Sequence, residues 1–249
     1  MKPLLLKKLL MLLVVVMTIP AQAENTPSAT ELLERMDTLY QQDSAHAIMT
    51  MTVVTPDYQR TMQLESWSLG LDYALVKVLE PVRERGVATL QRDTEMWNFL
   101  PKINKVVKVP PSMMMGSWMG SDFTNDDLMR DTSWSEEYDV SLSATADTYE
   151  LQLTPFENTV TVWGGMTLSI DKASLLPLQQ RYFDEDGEQM RVMNFSNVTD
   201  FDGTALPATM TLTPLNKDGQ YTEVEYQQLE FNVGLDDGFF TLQNLRRRN

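Results

Sequence analysis

Few side chains in this sequence can carry covalent chemistry. There is no cysteine, and His46 is the sole histidine. Thiol–histidine catalysis and multi-histidine metal sites are therefore excluded. A Ser-His-Asp triad would have to use His46, which opens a segment that reads as a structural strand, and no G-x-S-x-G elbow accompanies it. There is no G-x-G-x-x-G turn and no P-loop. Acid pairs such as Asp126-Asp127 and Asp236-Asp237 read as solvated surface in a chain with 35 Asp and Glu against 20 Lys and Arg, a net charge of −15. Asp184-Glu185-Asp186-Gly187 lacks both the EF-hand spacing and its downstream bidentate glutamate, so it reads as a hairpin tip. The expectation is a protein that is not an enzyme and that needs neither cofactor nor metal.

The unusual chemistry is soft and apolar. Between Pro110 and Met129 stand Met113, Met114, Met115, Met119 and Met129, with Trp118 and Phe123 among them. Connecting segments are normally polar, because water must satisfy their backbone groups. Three readings fit. The segment can be core, folded across an open sheet face, with adaptable thioethers filling gaps. It can line a site for a lipid or acyl chain, whose variable shape suits side chains that repack cheaply. Or Met113, Met114, Met115 and Met119 can bind Cu(I), a soft ion that accepts thioethers. The flanks describe a flap. Pro110-Pro111 ends the preceding strand, Gly116 and Gly120 let the backbone bend, and Thr124-Asn125-Asp126-Asp127 reads as a capping box with Asp in the usual Glu position.

A sheet must hold such a flap. Met49, Met51 and Val53 alternate with threonines; so do Leu151 and Leu153, Met166, Leu168 and Ile170, and Met210 and Leu212 with their polar neighbours. Period two means one apolar face and one wet face. Turn signals at Pro56-Asp57, Asp186-Gly187, Asp202-Gly203 and Asp218-Gly219 punctuate these runs. The pattern predicts ten or more antiparallel strands. Residues 73–79 and 96–100 are apolar on both faces, which predicts cover on both sides. One helix opens the array: Ser28-Ala29-Thr30-Glu31 is a capping box, and Leu32, Leu33, Met36, Leu39 and Tyr40 share one face to an end near Gln42.

Compartment and partners follow from the ends and the charge. Lys2, Lys7 and Lys8, a short apolar run to Ile19 and Ala21-Gln22-Ala23 compose a secretory signal cut after Ala23, without a cysteine to lipidate. Residues 24–249 then read as a single periplasmic domain and a monomer. So acidic a chain repels nucleic acid. Lys102, Lys105 and Lys108 form a basic strip, read as a docking or headgroup surface; Arg246, Arg247 and Arg248 read as a frayed tail.

The stretch EMWNFLPKINKVVKVPPSMMMGSWMGSDFTNDDL, Glu95 to Leu128, closely resembles the signature of the LolA-like outer membrane lipoprotein-sorting protein family. The order of features agrees along the chain: signal peptide, amphipathic helix, the strand from His46, the strand with Trp67, Asp93 to Pro101, and Asp237-Gly-Phe-Phe-Thr-Leu242 near the end. The resemblance implies a mainly β fold: an incomplete antiparallel barrel, a strongly curved sheet with an N-terminal helix and a helical or loop lid. It further implies a non-covalent carrier of lipoprotein or other acyl-bearing lipid, working with an inner-membrane exporter of ABC or RND/MMPL type. On that reading Trp67, Trp97, Phe99, Met113, Met114, Met115, Trp118, Met119, Phe123 and Met129 line the cavity or its lid. A lipid or lipoprotein sensor of RseB type is the alternative. One feature departs from the family. Its carrier latches the lid with an arginine shortly after the strand tryptophan, whereas Ser68-Leu69-Gly70-Leu71 follows Trp67 here. The latch is absent or has moved, to Arg60, Arg83 or Arg85.

Overall fold

The computed structural model describes residues 26–128, 133–159 and 161–247. The signal segment lies outside them, as do Met129 and Arg248.

Helix α1, Ala29–Asp37, begins at the expected capping box: Ser28 Oγ accepts from the Glu31 amide while the Glu31 carboxylate accepts from the Ser28 amide. It ends earlier than the apolar spacing predicts, with Thr38 as C-cap. Bonded turns then carry Leu39 and Tyr40 onward, and Gln42 closes them at φ 43°. Periodicity cannot distinguish helix from consecutive turns that keep the same side chains inward.

Thirteen strands follow among the described residues. They are β1 Ser44–Val54, β2 Gln59–Leu69, β3 Tyr73–Glu80, β4 Ala88–Arg92, β5 Glu95–Leu100 and β6 Lys105–Lys108, then β7 Tyr138–Ala144, β8 Thr148–Pro155, β9 Gly165–Asp171, β10 Pro177–Phe183, β11 Gln189–Phe201, β12 Thr204–Pro214 and β13 Tyr221–Phe231. They form one sheet in the order β6-β5-β4-β3-β2-β1-β13-β12-β11-β10-β9-β8-β7. The ladders are antiparallel throughout. Two meanders are thus joined where β1 pairs with β13, and the sheet is curved but not closed. Register shifts at Ile48/Met49, Gln63/Leu64 and Tyr182/Phe183 put irregularities into the ladders. Such bulges bend a strand and increase its twist. Gly187, Gly203 and Gly219, all at positive φ, turn the hairpins where Asp-Gly pairs predict them.

Both faces are covered over the β1–β6 half. The inner face carries α1 over β7–β10, with Leu32 and Leu33 against Leu151, Leu153, Met166, Leu168 and Ile170. It also carries the segment from Val109 to Leu128, with Trp118 against Met51, Met62, Leu64 and Val78. The outer face of β2–β6 is covered by the chain's C-terminal segment. Three short helices complete the described chain, α2 Asn125–Leu128, α3 Trp134–Glu137 and α4 Leu242–Arg246; Phe240, in the turn before α4, and Leu245 within it pack on Leu75, Ala88, Leu90 and Phe99. This is the double cover predicted for residues 73–79 and 96–100. It also corrects the view of the last arginines as a tail: Arg246 ends α4, and the Arg247 carbonyl accepts from buried Lys77 at 3.0 Å.

Candidate functional site: a roofed apolar cavity

Between the inner face, α1 and the flap lies a cavity of about 1000 Å³. That is at the upper end of the range of small-ligand sites. Its floor comes from β1, β12 and β13, with Ala45, Ala47, Met49, Met210, Leu212, Val224 and Tyr226. Its far wall comes from β9–β11 and the residues before them, with Trp163, Met166, Tyr182, Arg191, Met193 and Phe195. Met36 of α1 and Tyr40 of the turns that follow close it, and Met114, Trp118, Phe123 and Leu128 roof it. The alternating apolar residues of the strands meet here because each contributes its inner face. On the floor Tyr40 and Tyr226 stack 5.2 Å apart, and Tyr40 donates its hydroxyl to the Pro207 carbonyl at 2.8 Å. Burial pushes the Tyr226 hydroxyl up to about 12 and raises Tyr40 further, so both stay neutral.

The flap is built as its flanks suggest. After Pro110 a short 3-10 turn, Pro111–Met113, starts it. A side chain at Gly116 would put a Cβ 2.9 Å from the Met113 carbonyl oxygen, so only glycine fits. Met119 and Gly120 both have positive φ and turn the chain back. Thr124 then caps the four-residue helix α2, Asn125–Leu128. Its hydroxyl accepts from the Asp127 amide at 3.1 Å, while Asp127 Oδ2 accepts from the Thr124 amide and hydroxyl at 2.8 and 2.9 Å. This is the capping box with Asp in the Glu position.

Polar contacts pin this flap across the sheet. Trp118 Nε1 donates to Thr89 Oγ1 on β4 at 3.0 Å, and Thr89 donates on to Asn98. Arg60 on β2 donates through Nη2 to the Met119 carbonyl, and its Nη1 lies 3.6 Å from Glu84. Asp122 accepts from Thr222 Oγ1 on β13 at 2.8 Å, and its amide donates back to that hydroxyl at 2.9 Å. Asp127 receives two bonds from Arg191 on β11, at 2.8 and 2.5 Å. Of the three arginines that could replace the missing latch, Arg60 is the one that touches the flap. Arg83 and Arg85 instead pair within their own loop, with Glu84 and Glu80.

The residues singled out in the sequence divide into groups. Trp118, 5% exposed, and Met114 and Phe123 face the cavity, and Met119 packs against the cluster beneath the flap. Met113 and Met115 face out, 58% and 40% exposed, so the methionine run does not present its thioethers to one side. Trp97 and Phe99 do not line the cavity: they sit on the outer face, in the core under the C-terminal segment. Trp67 borders the cavity wall through its place between Ser66 and Ser68, but its ring stacks outward on His46 and Phe239. The strand period could not tell which face was inner, since both are apolar there. Met129 lies outside the described residues. Lys102 and Lys105 are exposed on the β5–β6 hairpin, while Lys108 pairs with Glu95 at the cavity rim. Sequence reasoning missed Arg191, because a lone arginine on an alternating strand reads as solvent-facing. It also missed the Tyr40–Tyr226 floor, which needs the register to assemble.

His46 lies 3.1 Å from Glu65 on the outer face, away from the cavity. Among the described residues, no three His, Asp or Glu side chains gather in a group that could hold a metal. No helix among them is long and apolar enough to cross a membrane.

This architecture has known counterparts. A family model described only as an uncharacterized protein matches residues 70–247. The chain belongs to that family, and its fold is LolA-like. A DUF1329 family protein from Desulfovibrio piger superposes with a TM-score of 0.78 at 24% identity, over 87% of this chain and 97% of its own. A structure described as an outer membrane lipoprotein-sorting protein domain, from Vibrio parahaemolyticus, gives 0.72 at 22% identity over 86% and 97%. A LolA superfamily protein from Nitrosomonas europaea gives 0.71 at 20% over 87% and 99%. A search of curated proteins finds no match to the sequence. At these identities the solved structures speak to fold, and they bear out the open antiparallel sheet that the stretch from Glu95 to Leu128 implied.

Proposed function

We propose that this protein is a periplasmic carrier that holds the acyl chains of a lipoprotein or another lipid, without covalent chemistry, and works as a monomer with an inner-membrane exporter. The observation that carries this is the roofed cavity of about 1000 Å³, floored by Ala, Met and Leu and covered by Met114, Trp118 and Phe123. Burying an acyl chain stabilises the complex by roughly 0.8 kcal/mol per CH₂. A thioether and aromatic roof adapts to chains of differing length and branching at little cost. The fold shared with a lipoprotein-sorting domain and a LolA superfamily protein supports the same use. The exposed hairpin with Lys102 and Lys105 offers a basic docking surface on an acidic protein. Met113 and Met115, turned away from Met114, do not favour a copper site.

Native mass spectrometry of protein drawn gently from a periplasmic extract tests the proposal. Co-purified lipid, displaced by a fluorescent fatty acid, is expected. A bare polypeptide mass together with no uptake of the probe would overturn it.

A further inference from the structure

Arg191 does not belong in an ordinary acyl pocket. It is 5% exposed and stands in the cavity wall beside Met193 and Phe195. Its guanidinium lies 4.4 Å from the Trp163 ring centre and 4.0 Å from that of Tyr182. Two of its N–H groups are taken by Asp127. Its Nε, also buried, has no acceptor among the described residues. Burial works against the charge, and the bonds to Asp127 together with Tyr182 beside it more than offset that, so the group stays a cation.

A pair like this is a poor way to stabilise a fold. Desolvating both ions cancels most of their attraction, and apolar residues of equal volume often serve better. Its value lies in recognition. A planar guanidinium held between aromatic rings offers a rigid fork to a carboxylate or phosphate, and binding sites owe their orientation to a few such placed groups in apolar walls. Asp127 is also suited to let go. Its Oδ2 already holds the Thr124 amide and hydroxyl, so it stays partnered when the arginine leaves.

We infer that Arg191 is the headgroup site of this cavity: the anionic end of an acyl ligand, carboxylate or phosphate, replaces Asp127 on the guanidinium and thereby unpins α2 from β11. The inference rests on the carrier reading and names the chemical class of its ligand. It also couples filling to opening, because the incoming anion breaks the contact that ties the far end of the flap to the wall.

Competition against a neutral fluorescent naphthylamine, on the delipidated full-length protein, tests it with three ligands: palmitate, hexadecyl phosphate and hexadecanol. The alcohol reports on the apolar cavity alone, and the two anions distinguish carboxylate from phosphate. The wild-type protein is expected to bind at least one anion about tenfold more tightly than the alcohol, the scale of one charge-assisted bond. Arg191→Met should bring that ratio to about one. Asp127→Asn, which removes the internal competitor, should raise the ratio. A wild-type ratio near one for both anions, or a ratio that survives Arg191→Met, overturns the inference while the carrier reading stands. Failure of the alcohol and the anions alike overturns both. Should Arg191→Met not fold, Asp127→Asn decides, and an unchanged ratio there overturns the inference.

Discussion

Trp118 on the flap donates its indole N–H to Thr89 on β4 across 3.0 Å, and this bond ties the roof of the cavity to the half of the sheet that the C-terminal segment covers from behind. The tryptophan is at once the largest apolar group of the roof and a polar pin. Removing either property should have a different consequence.

Trp118→Phe keeps most of the ring and loses the bond. Thr89 still donates to Asn98, so no buried hydroxyl is stranded. The variant should lose about 1–2 kcal/mol of stability, read as a lower urea midpoint at unchanged slope. Trp118→Ala should lose about 3–5 kcal/mol. Equal midpoints for the wild type and Trp118→Phe would show that the bond contributes nothing.

Arg60 supports a strained turn. Met119 holds φ 49°, a conformation that costs a residue with a Cβ roughly 1–2 kcal/mol. The Arg60 guanidinium, bonded to the Met119 carbonyl, fixes that turn. Arg60→Met should speed amide exchange of Trp118 and Ser121 about tenfold, equivalent to ~1.4 kcal/mol of local opening, and leave the β1–β13 ladder untouched. Uniform acceleration over both regions would mean that the arginine supports the whole fold rather than the flap.

Neighbouring methionines should separate by face. Met114 lines the cavity, whereas Met113 and Met115 face outward. Met114→Ala should shorten the residence time of a bound fluorescent fatty acid. Met113→Ala and Met115→Ala should leave stability within about 0.5 kcal/mol of wild type, as surface changes do, and leave that residence time unchanged. Indistinguishable residence times for all three variants would contradict the assignment of faces.

The tyrosine floor gives the protein an alkaline limit. The Tyr226 hydroxyl is raised from 10.0 to about 12 by burial, so the folded chain holds its proton longer than the unfolded chain does. Stability is therefore complete below about pH 10 and falls as pH rises toward 12, because deprotonation pulls on the unfolded state first. Melting temperature recorded from pH 8 to 12 should show this decline. Tyr226→Phe should make the decline shallower, with Tyr40 still contributing, and an identical profile for the variant would remove Tyr226 from the cause.

Much of this was legible beforehand, for reasons that are local. Ser28 with Glu31, and Thr124 with Asp127, form caps whose partners lie three residues apart, so the sequence alone places them. Met49, Met51 and Val53 alternate because a strand puts every second side chain on one face. Gly116 and Gly120 mark turns that a side chain would obstruct or strain. Pro110-Pro111 and the methionines beyond them describe a flap even before its cover is known.

What stayed hidden is what period two leaves undetermined. It says that Met96 and Trp97 face opposite ways, but not which of them faces the cavity. Trp97 and Phe99 therefore read as lining, and only the return of Phe240 and Leu245 to the far face shows them to be outer core. Arg191 and Asp127 are 64 residues apart, and nothing near either one announces the other. Their meeting depends on the sheet order that carries β11 to the wall opposite β4 and on the flap that crosses between them. The sequence by itself determined caps, turns, alternation and the apolar character of the roof, since each is decided by neighbours along the chain. The tertiary structure alone decided which face encloses the cavity, which of the candidate latch arginines touches the flap and where a buried cation meets the cavity, because those depend on strands brought together from distant parts of the sequence.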